Sequence, residues 1–217
     1  MNQVSSAEAI LQEAYTRFGD GLILACSFGG VSGMVLLDMT RRLFPQIPVF
    51  TLDTEFLFPE TIALREQAAV RYGFTPLVMN PVPNATPGPR LPSVDDCCAV
   101  RKVEPTRRAL EGKSAWIVGL RRDQSKTRES VEPIAWDDEF ELHKVAPLWD
   151  WTEEDCWAYV EEHNVPVNAL HAQGYPSIGC WPCTRAVKAG EDIRAGRWAQ
   201  EEKTECGLHL RTKAGKA

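Results

Sequence analysis

No apolar run in this chain approaches the length of a bilayer span, so a transmembrane helix is not expected. A basic excess is also missing, since 24 Lys and Arg stand against 30 Asp and Glu for a net charge of −6. General nucleic-acid and membrane-surface binders carry a basic field, so neither partner is expected. A small anionic ligand remains compatible, because a local arginine cluster decides that. The start, Met1-Asn2-Gln3-Val4-Ser5-Ser6-Ala7-Glu8, lacks the basic-then-apolar plan of a signal peptide, and the expected location is cytoplasmic. An even set of cysteines is lacking too: seven is an odd count for a disulfide framework. In a reducing compartment, paired cysteines more often bind metal or do redox work. There is no internal repeat and no low-complexity tract. What remains is an ordinary globular composition in 217 residues, enough for one domain with a well-buried core.

The order of elements predicts an α/β fold. A helix over about Ser6 to Phe18 precedes the apolar run Leu22-Ile23-Leu24-Ala25-Cys26, which suits a buried parallel strand. That run ends in Ser27-Phe28-Gly29-Gly30-Val31-Ser32-Gly33, and a helix follows from Met34. Strand, Gly/Ser loop and helix is the layout that sets backbone N–H groups against a phosphate. A bare strand-to-helix turn would read the same way. Pro48 to Thr54 is a second strand, Pro59 to Tyr72 a helix with proline in its first turn, and Phe74 to Met79 a third strand. The alternation implies a mostly parallel sheet with helices on both faces. Ligands in such sheets lie beyond the C-terminal strand ends, which places Ser27 and Asp53-Thr54 on the active rim. Asn80 to Pro92 reads as a surface loop. Ser114 to Gly119 is a fourth strand, and the basic loop Leu120 to Arg128 opens onto the same rim. Phe140 to Val145 alternates as an edge strand. Thr152-Glu153-Glu154-Asp155 has the pattern of a capping box opening a helix to about His163. From Ala189 to Ala217 the chain is small, polar and charged, and mobility is expected there.

Chemistry concentrates in the cysteines. Gly174-Tyr175-Pro176-Ser177-Ile178-Gly179-Cys180-Trp181-Pro182-Cys183 carries a Cys-x-x-Cys pair, and Cys97-Cys98 is a second pair far upstream. Asp95 or Asp96 is expected to cap a helix whose first turn holds Cys97 and Cys98, with Arg101 and Lys102 one turn on. Four thiols in two pairs fit a closed zinc site or a four-iron, four-sulfur cluster. Adjacent side chains reach two irons of a cluster more readily than one small ion. Cys26 and Cys156 read as small buried thiols. Cys206 stands alone in Glu205-Cys206-Gly207-Leu208-His209, with a histidine and arginines for company, as a thiolate nucleophile would, an ordinary surface cysteine being the plain alternative. Arg128, Arg194 and Arg197 can clamp phosphate or sulfate through forked hydrogen bonds. A solvated surface charge is the plain alternative for any one of them.

Four motifs in order carry a family resemblance: Cys97-Cys98-x-x-Arg101-Lys102; Gly119-Leu120-Arg121-Arg122-Asp123-Gln124-Ser125; Gly174 to Cys183; and Glu205 to His209. From about Leu22 to His209 the chain resembles the assimilatory adenylyl-sulfate reductases, the iron–sulfur branch of the adenosine phosphosulfate and phosphoadenosine phosphosulfate reductase family. The resemblance implies a fold like the adenine-nucleotide α-hydrolases. Residues 1–190 would form the nucleotide- and cluster-binding domain, and residues 191–217 a mobile tail with the catalytic cysteine. It implies one [4Fe-4S] cluster on Cys97, Cys98, Cys180 and Cys183, with Lys102 nearby. It implies that the Cys206 thiolate attacks adenosine 5′-phosphosulfate, expels AMP and becomes an S-sulfo-cysteine. Thioredoxin or glutaredoxin would then release sulfite, within sulfate assimilation and cysteine biosynthesis. Arg128, Arg194 and Arg197 would face the phosphosulfate, Ser27, Thr54 and Gly119 the nucleotide, and His209 would support the tail. A homo-oligomer is compatible.

Two departures fall on the nucleotide rim: Ser32-Gly33 stands where family members often have an acidic pair, and Glu55 where they usually have glycine. Three other readings compete. One is the same chemistry on phosphoadenosine phosphosulfate. Another is an adenylating transferase, which needs an aspartate that Ser27–Gly33 lacks. The third is a non-catalytic zinc module, which leaves Cys206 to His209 unexplained.

Overall fold

The computed structural model describes residues 3–83, 93–199, 203, 205 and 208. The strands are β1 (Leu22–Ala25), β2 (Val49–Leu52), β3 (Leu77–Met79), β4 (Ala115–Ile117), β5 (Ile134–Asp137) and β6 (Leu142–Val145). They form one sheet in the order β3-β2-β1-β4-β6-β5. Every pairing is parallel except that of β5 with β6. The strand order reverses between β1 and β4, which makes their C-terminal ends the topological switch point.

The helices are α1 (Gln3–Phe18), α2 (Val31–Leu43), α3 (Pro59–Tyr72), α4 (Val94–Cys98), α5 (Glu104–Leu110) and α6 (Glu153–His163). Alternate residues of β1 face opposite ways, as a pleated strand requires. Leu22 and Leu24 join a core built with Ala7 and Leu11 of α1, Val35 of α2 and Tyr159 of α6. Ile23 joins a second core with Phe50, Trp116 and the α5 residues Ala109 and Leu110. The sheet is therefore covered on both faces, as its apolar strands predict.

Local chemistry sets the helix ends. α3 starts on Pro59 and stops at Gly73, whose φ of 61° is the left-handed geometry that glycine adopts without cost. Thr152 and Asp155 close the expected capping box of α6: Thr152 Oγ1 accepts from the Asp155 N–H at 3.1 Å, and Asp155 accepts from the Thr152 N–H at 2.7 Å.

Two expectations need correction. The strand over Phe140 to Val145 is not an edge: β6 lies between β4 and β5, and the short β5 takes the edge through a hairpin whose turn residue Glu141 has φ 56°. α4 is capped by Ser93, not by either aspartate. Ser93 Oγ accepts from the Asp96 N–H at 3.0 Å, and both acids fall inside the first turn. After Ala189, among the described residues, the chain has one large apolar anchor, since Trp198 is buried. Its N–H donates to the Cys183 carbonyl at 3.0 Å, and Thr184 pairs with Arg197. The remainder of the expected tail, and the stretch 84–92, lie outside the described residues.

Candidate active site

One solvent-open cleft of about 280 Å³ lies over the switch point. That is close to the lower end of small-molecule pockets, which run about 300–1,000 Å³. Ser27, Thr54, Lys102, Gly119, Arg128, Arg194 and Arg197 all line it. The site residues expected from five distant parts of the chain therefore meet in one place. Cys206 and His209 lie outside the described residues, but their neighbours Glu205 and Leu208 are placed, and Leu208 lines the cleft.

The floor is the loop after β1. Its backbone runs so close to the end of β4 that a Cβ on Gly119 would stand 3.2 Å from the Gly33 nitrogen. Arg121, fully buried, fixes the same loop. Its Nε donates to Ser32 Oγ at 2.9 Å, and its Nη1 donates to Asp123 Oδ2 at 2.7 Å. Gln124 adds a donor to the Gly119 carbonyl at 3.0 Å. Ser32, where an acid is common, is thus a hydroxyl tied to an arginine. The arginine takes its charge partners from Asp123 and Glu153 instead.

The second wall follows β2. Buried Thr54 places Oγ1 3.2 Å from Cys180 Sγ, and its carbonyl accepts from Arg101 Nη1 at 3.0 Å. Glu55 has φ 64°, a left-handed conformation that glycine takes freely and glutamate at a cost of about 1–3 kcal/mol. Its carboxylate is ion-paired with buried Arg101, whose guanidinium also stacks 4.5 Å from the Phe56 ring centre. The Phe56 carbonyl in turn accepts from the Trp181 N–H at 2.9 Å, which docks the Cys-x-x-Cys loop against this wall.

Of the four paired thiols, Cys180 lines the cleft, and Cys97 and Cys183 lie within its electrostatic reach. Cys98 and Cys180 are buried, and Cys97 and Cys183 half-buried. Cys97 and Cys98 end α4, where the helix widens into a π-turn over Ala99–Val103 that carries Arg101 and Lys102. Burial pushes the Cys97 thiol up, the Arg101 charge pulls it down and Cys180 pushes it up again. Burial and then Cys180 push Cys183 up, while Lys102 pulls it down. Cys97, Cys180 and Cys183 thus lie within electrostatic reach of one another, with Arg101, Lys102 and Arg197 nearby. Among the described residues no group of three or more His, Cys, Asp or Glu donors closes on a single ion. Cys26 and Cys156 stand apart as buried thiols, pushed up by burial to about 12 and about 11.

The arginines form the remaining wall. Arg197 lies against Gly179, where a Cβ would meet its Nη2 at 2.3 Å. It also donates to Ser177 Oγ at 3.3 Å and stacks 4.6 Å from the Trp198 ring centre. The Trp198 indole nitrogen, buried in the same wall, has no hydrogen-bond partner among the described residues. Arg128 and Arg194 line the cleft but are engaged by an acid. Glu205 accepts from Arg128 Nε at 2.8 Å and Nη2 at 2.7 Å, and from Arg194 Nη2 at 3.4 Å. Burial alone would raise the Glu205 carboxyl. Hydrogen bonds and charge from Arg128, with Arg194 and Thr127, hold it below the usual carboxylate range. Glu205 and Arg121 were legible only as letters of their motifs, and Trp198 carried no signal separating it from an ordinary core residue.

Comparison with known proteins fits this geometry. Residues 21–186 match the phosphoadenosine phosphosulfate reductase domain. The chain belongs to that family. Among curated members of the reductase family, it is 46% identical over 212 residues to a phosphoadenosine 5′-phosphosulfate reductase of Gloeobacter violaceus, covering 93% of this chain and 88% of the relative. It is 44% identical over 209 residues to an adenosine 5′-phosphosulfate reductase of Halalkalibacterium halodurans, covering 92% and 90%. A solved family structure, the phosphoadenylyl-sulfate reductase of Candida auris in a phosphate complex, superposes with a TM-score of 0.70 at 29% identity. That match covers 82% of this chain and 89% of the other. The two names for the substrate among the relatives leave the 3′-phosphate to be decided by chemistry.

Proposed function

We propose that the chain reduces adenosine 5′-phosphosulfate to sulfite and AMP through a thiol of its own, as a step of assimilatory sulfate reduction. The carrying observation is the convergence on one switch-point cleft of the phosphate-type loop, three arginines and the chain flanking Cys206. The Cys206 thiolate forms a bond to the sulfonyl sulfur while the bond from that sulfur to the phosphate oxygen breaks. AMP leaves with the electron pair, and Cys206 holds S-sulfonate. One thiolate of a dithiol donor of thioredoxin type attacks the Cys206 sulfur and expels sulfite. Its second thiol resolves the mixed disulfide and restores Cys206. Attack by an anion on an anion needs positive charge at the site, which Lys102 and Arg197 supply to the cleft. The loop after β1 cradles the 5′-phosphate, and Gly119 keeps its approach open. A cytoplasmic location and a thioredoxin-type donor belong to this reading.

Adenosine 5′-phosphosulfate is favoured over its 3′-phosphorylated form because, among the described residues, the lysine and arginines lining the cleft are already engaged by the phosphosulfate, the loop after β1 and the nucleophile's chain, with no separate basic cluster for a 3′-phosphate. The four thiols Cys97, Cys98, Cys180 and Cys183 suit a [4Fe-4S] cluster by type and pairing: Cys97, Cys180 and Cys183 lie within electrostatic reach of one another, Cys98 adjoins Cys97, and Arg101 and Lys102 would balance ligand charge. When bound, such a cluster would place a charged, polarisable group beside the phosphosulfate. Thr54 would orient the Cys180 ligand through its hydroxyl, and Lys102 would stand between ligand charge and substrate charge.

Steady-state sulfite release with thioredoxin tests the substrate. Sulfite is expected from adenosine 5′-phosphosulfate, at a kcat/KM at least about tenfold above that for the 3′-phosphorylated form, and none from Cys206→Ser. Equal or reversed preference contradicts the substrate assignment. Protein purified without oxygen is expected to be brown with about four irons per chain. Colourless protein containing zinc contradicts the cluster.

A further inference from the structure

The sequence pattern assigns Arg128 and Arg194 to the substrate's anion, yet in the structure both face a carboxylate of the chain itself. Glu205 is only 3% exposed. Its Oε1 lies within hydrogen-bond distance of Arg128 Nε at 2.8 Å and of the Ser125 and Thr127 hydroxyls at 3.1 Å each. Its Oε2 accepts from Arg128 Nη2 at 2.7 Å and from Arg194 Nη2 at 3.4 Å. A buried carboxylate is tolerated only where charge and donors replace its lost water, and here two guanidiniums and two hydroxyls do so. Two flanking contacts hold the same stretch: Lys203 pairs with Asp95 at the start of the cysteine helix, and Leu208 packs on the core around Phe50 and Trp116. Adjacent Cα atoms are about 3.8 Å apart, so whatever fixes Glu205 fixes the backbone from which Cys206 departs.

We propose that Glu205 is a positioning residue. Its carboxylate, seated among Arg128, Arg194, Ser125 and Thr127, sets the chain before Cys206 at the cleft, and the two arginines that line the cleft hold the nucleophile's chain as well. The inference rests on the reading of Cys206 as the nucleophile. It gives the Glu-Cys order of the motif a physical reason: the acid is the foot and the thiol the next residue. The rival is that Glu205 merely stands where the phosphosulfate belongs, in which case removing its charge should improve substrate binding.

Single-turnover experiments separate the two. Reduced protein is mixed with saturating adenosine 5′-phosphosulfate without a dithiol donor, and addition of one SO3 group is followed by intact mass. AMP affinity is measured alongside by titration. For Glu205→Gln the sulfonation rate is expected to fall at least about tenfold, within the about hundredfold that a 1 Å misplacement can cost. AMP affinity should stay within about twofold, and Glu205→Asp should recover part of the rate. A wild-type rate in Glu205→Gln, or tighter AMP binding with no slowing, overturns the inference. Should Glu205→Gln lose AMP binding through misfolding, Ser125→Ala with Thr127→Ala decides in the same assay: slowing supports the inference, and a wild-type rate overturns it. Absence of any adduct on wild-type protein overturns the functional reading itself, which is a different result from equal rates.

Discussion

Gly119 shows how one missing side chain can serve a ligand. A methyl there would press on the Gly33 nitrogen from 3.2 Å, and because that neighbour is backbone the phosphate-type loop would have to move. Gly119→Ala is expected to weaken AMP binding about tenfold, or about 1.4 kcal/mol, with the thermal midpoint little changed. Equilibrium dialysis gives the number, and unaltered affinity would show that the loop can yield. Glu55 is the opposite case, a side chain kept at φ 64° where glycine costs nothing, held by its ion pair with Arg101. The departure from glycine was visible in the sequence; its compensation was not, because Arg101 lies 46 positions away. The same limit hid Glu205. Spacing identifies residue types suited to a task, but which arginine meets which anion is fixed by tertiary contacts.

At the scale of elements, apolar runs and caps were legible because their causes are local. The helix over Pro59 to Tyr72 and the box at Thr152 to Asp155 carry their own start signals and occur where those signals stand. β5 was not legible: Ile134-Ala135-Trp136-Asp137 is short, and its strand character comes from pairing with β6. α4 was misassigned at its cap because Ser93, Asp95 and Asp96 are all good capping residues, and only backbone geometry selects the first. The box of α6 yields a measurable consequence. Thr152→Ala is expected to cost about 1 kcal/mol, read as a lower urea midpoint at unchanged slope. Hydrogen bonds from Thr152, first its backbone N–H, hold the Asp155 carboxyl below its ordinary value. A depressed carboxyl stabilises the fold above its unfolded value, near pH 4, and that contribution disappears as pH falls through the lower folded value. Thr152→Ala keeps the backbone N–H and removes only the hydroxyl's share of that depression, so its cost should shrink slightly in acid; a cost that grows there would contradict the capping assignment.

Over the whole molecule, the switch point explains why residues so far apart in sequence share one cleft. Parallel strands direct the loops after β1, β2 and β4 to one rim, so Ser27, Thr54 and Gly119 meet there by topology alone. The Cys-x-x-Cys loop and the arginine segment reach the same rim by docking on Phe56 and Cys183, contacts that no periodicity announces. The cleft thereby sets a nucleotide site on one side, four thiols on another and the chain of Cys206 on a third. Peptide mapping of protein mixed once with adenosine 5′-phosphosulfate, in the absence of a dithiol, asks whether these parts act together. The expected result is one SO3 group per chain, on Cys206 alone, released as sulfite when thioredoxin is added. No adduct, or an adduct on Cys97, Cys98, Cys180 or Cys183 in its place, would contradict the assignment of the nucleophile.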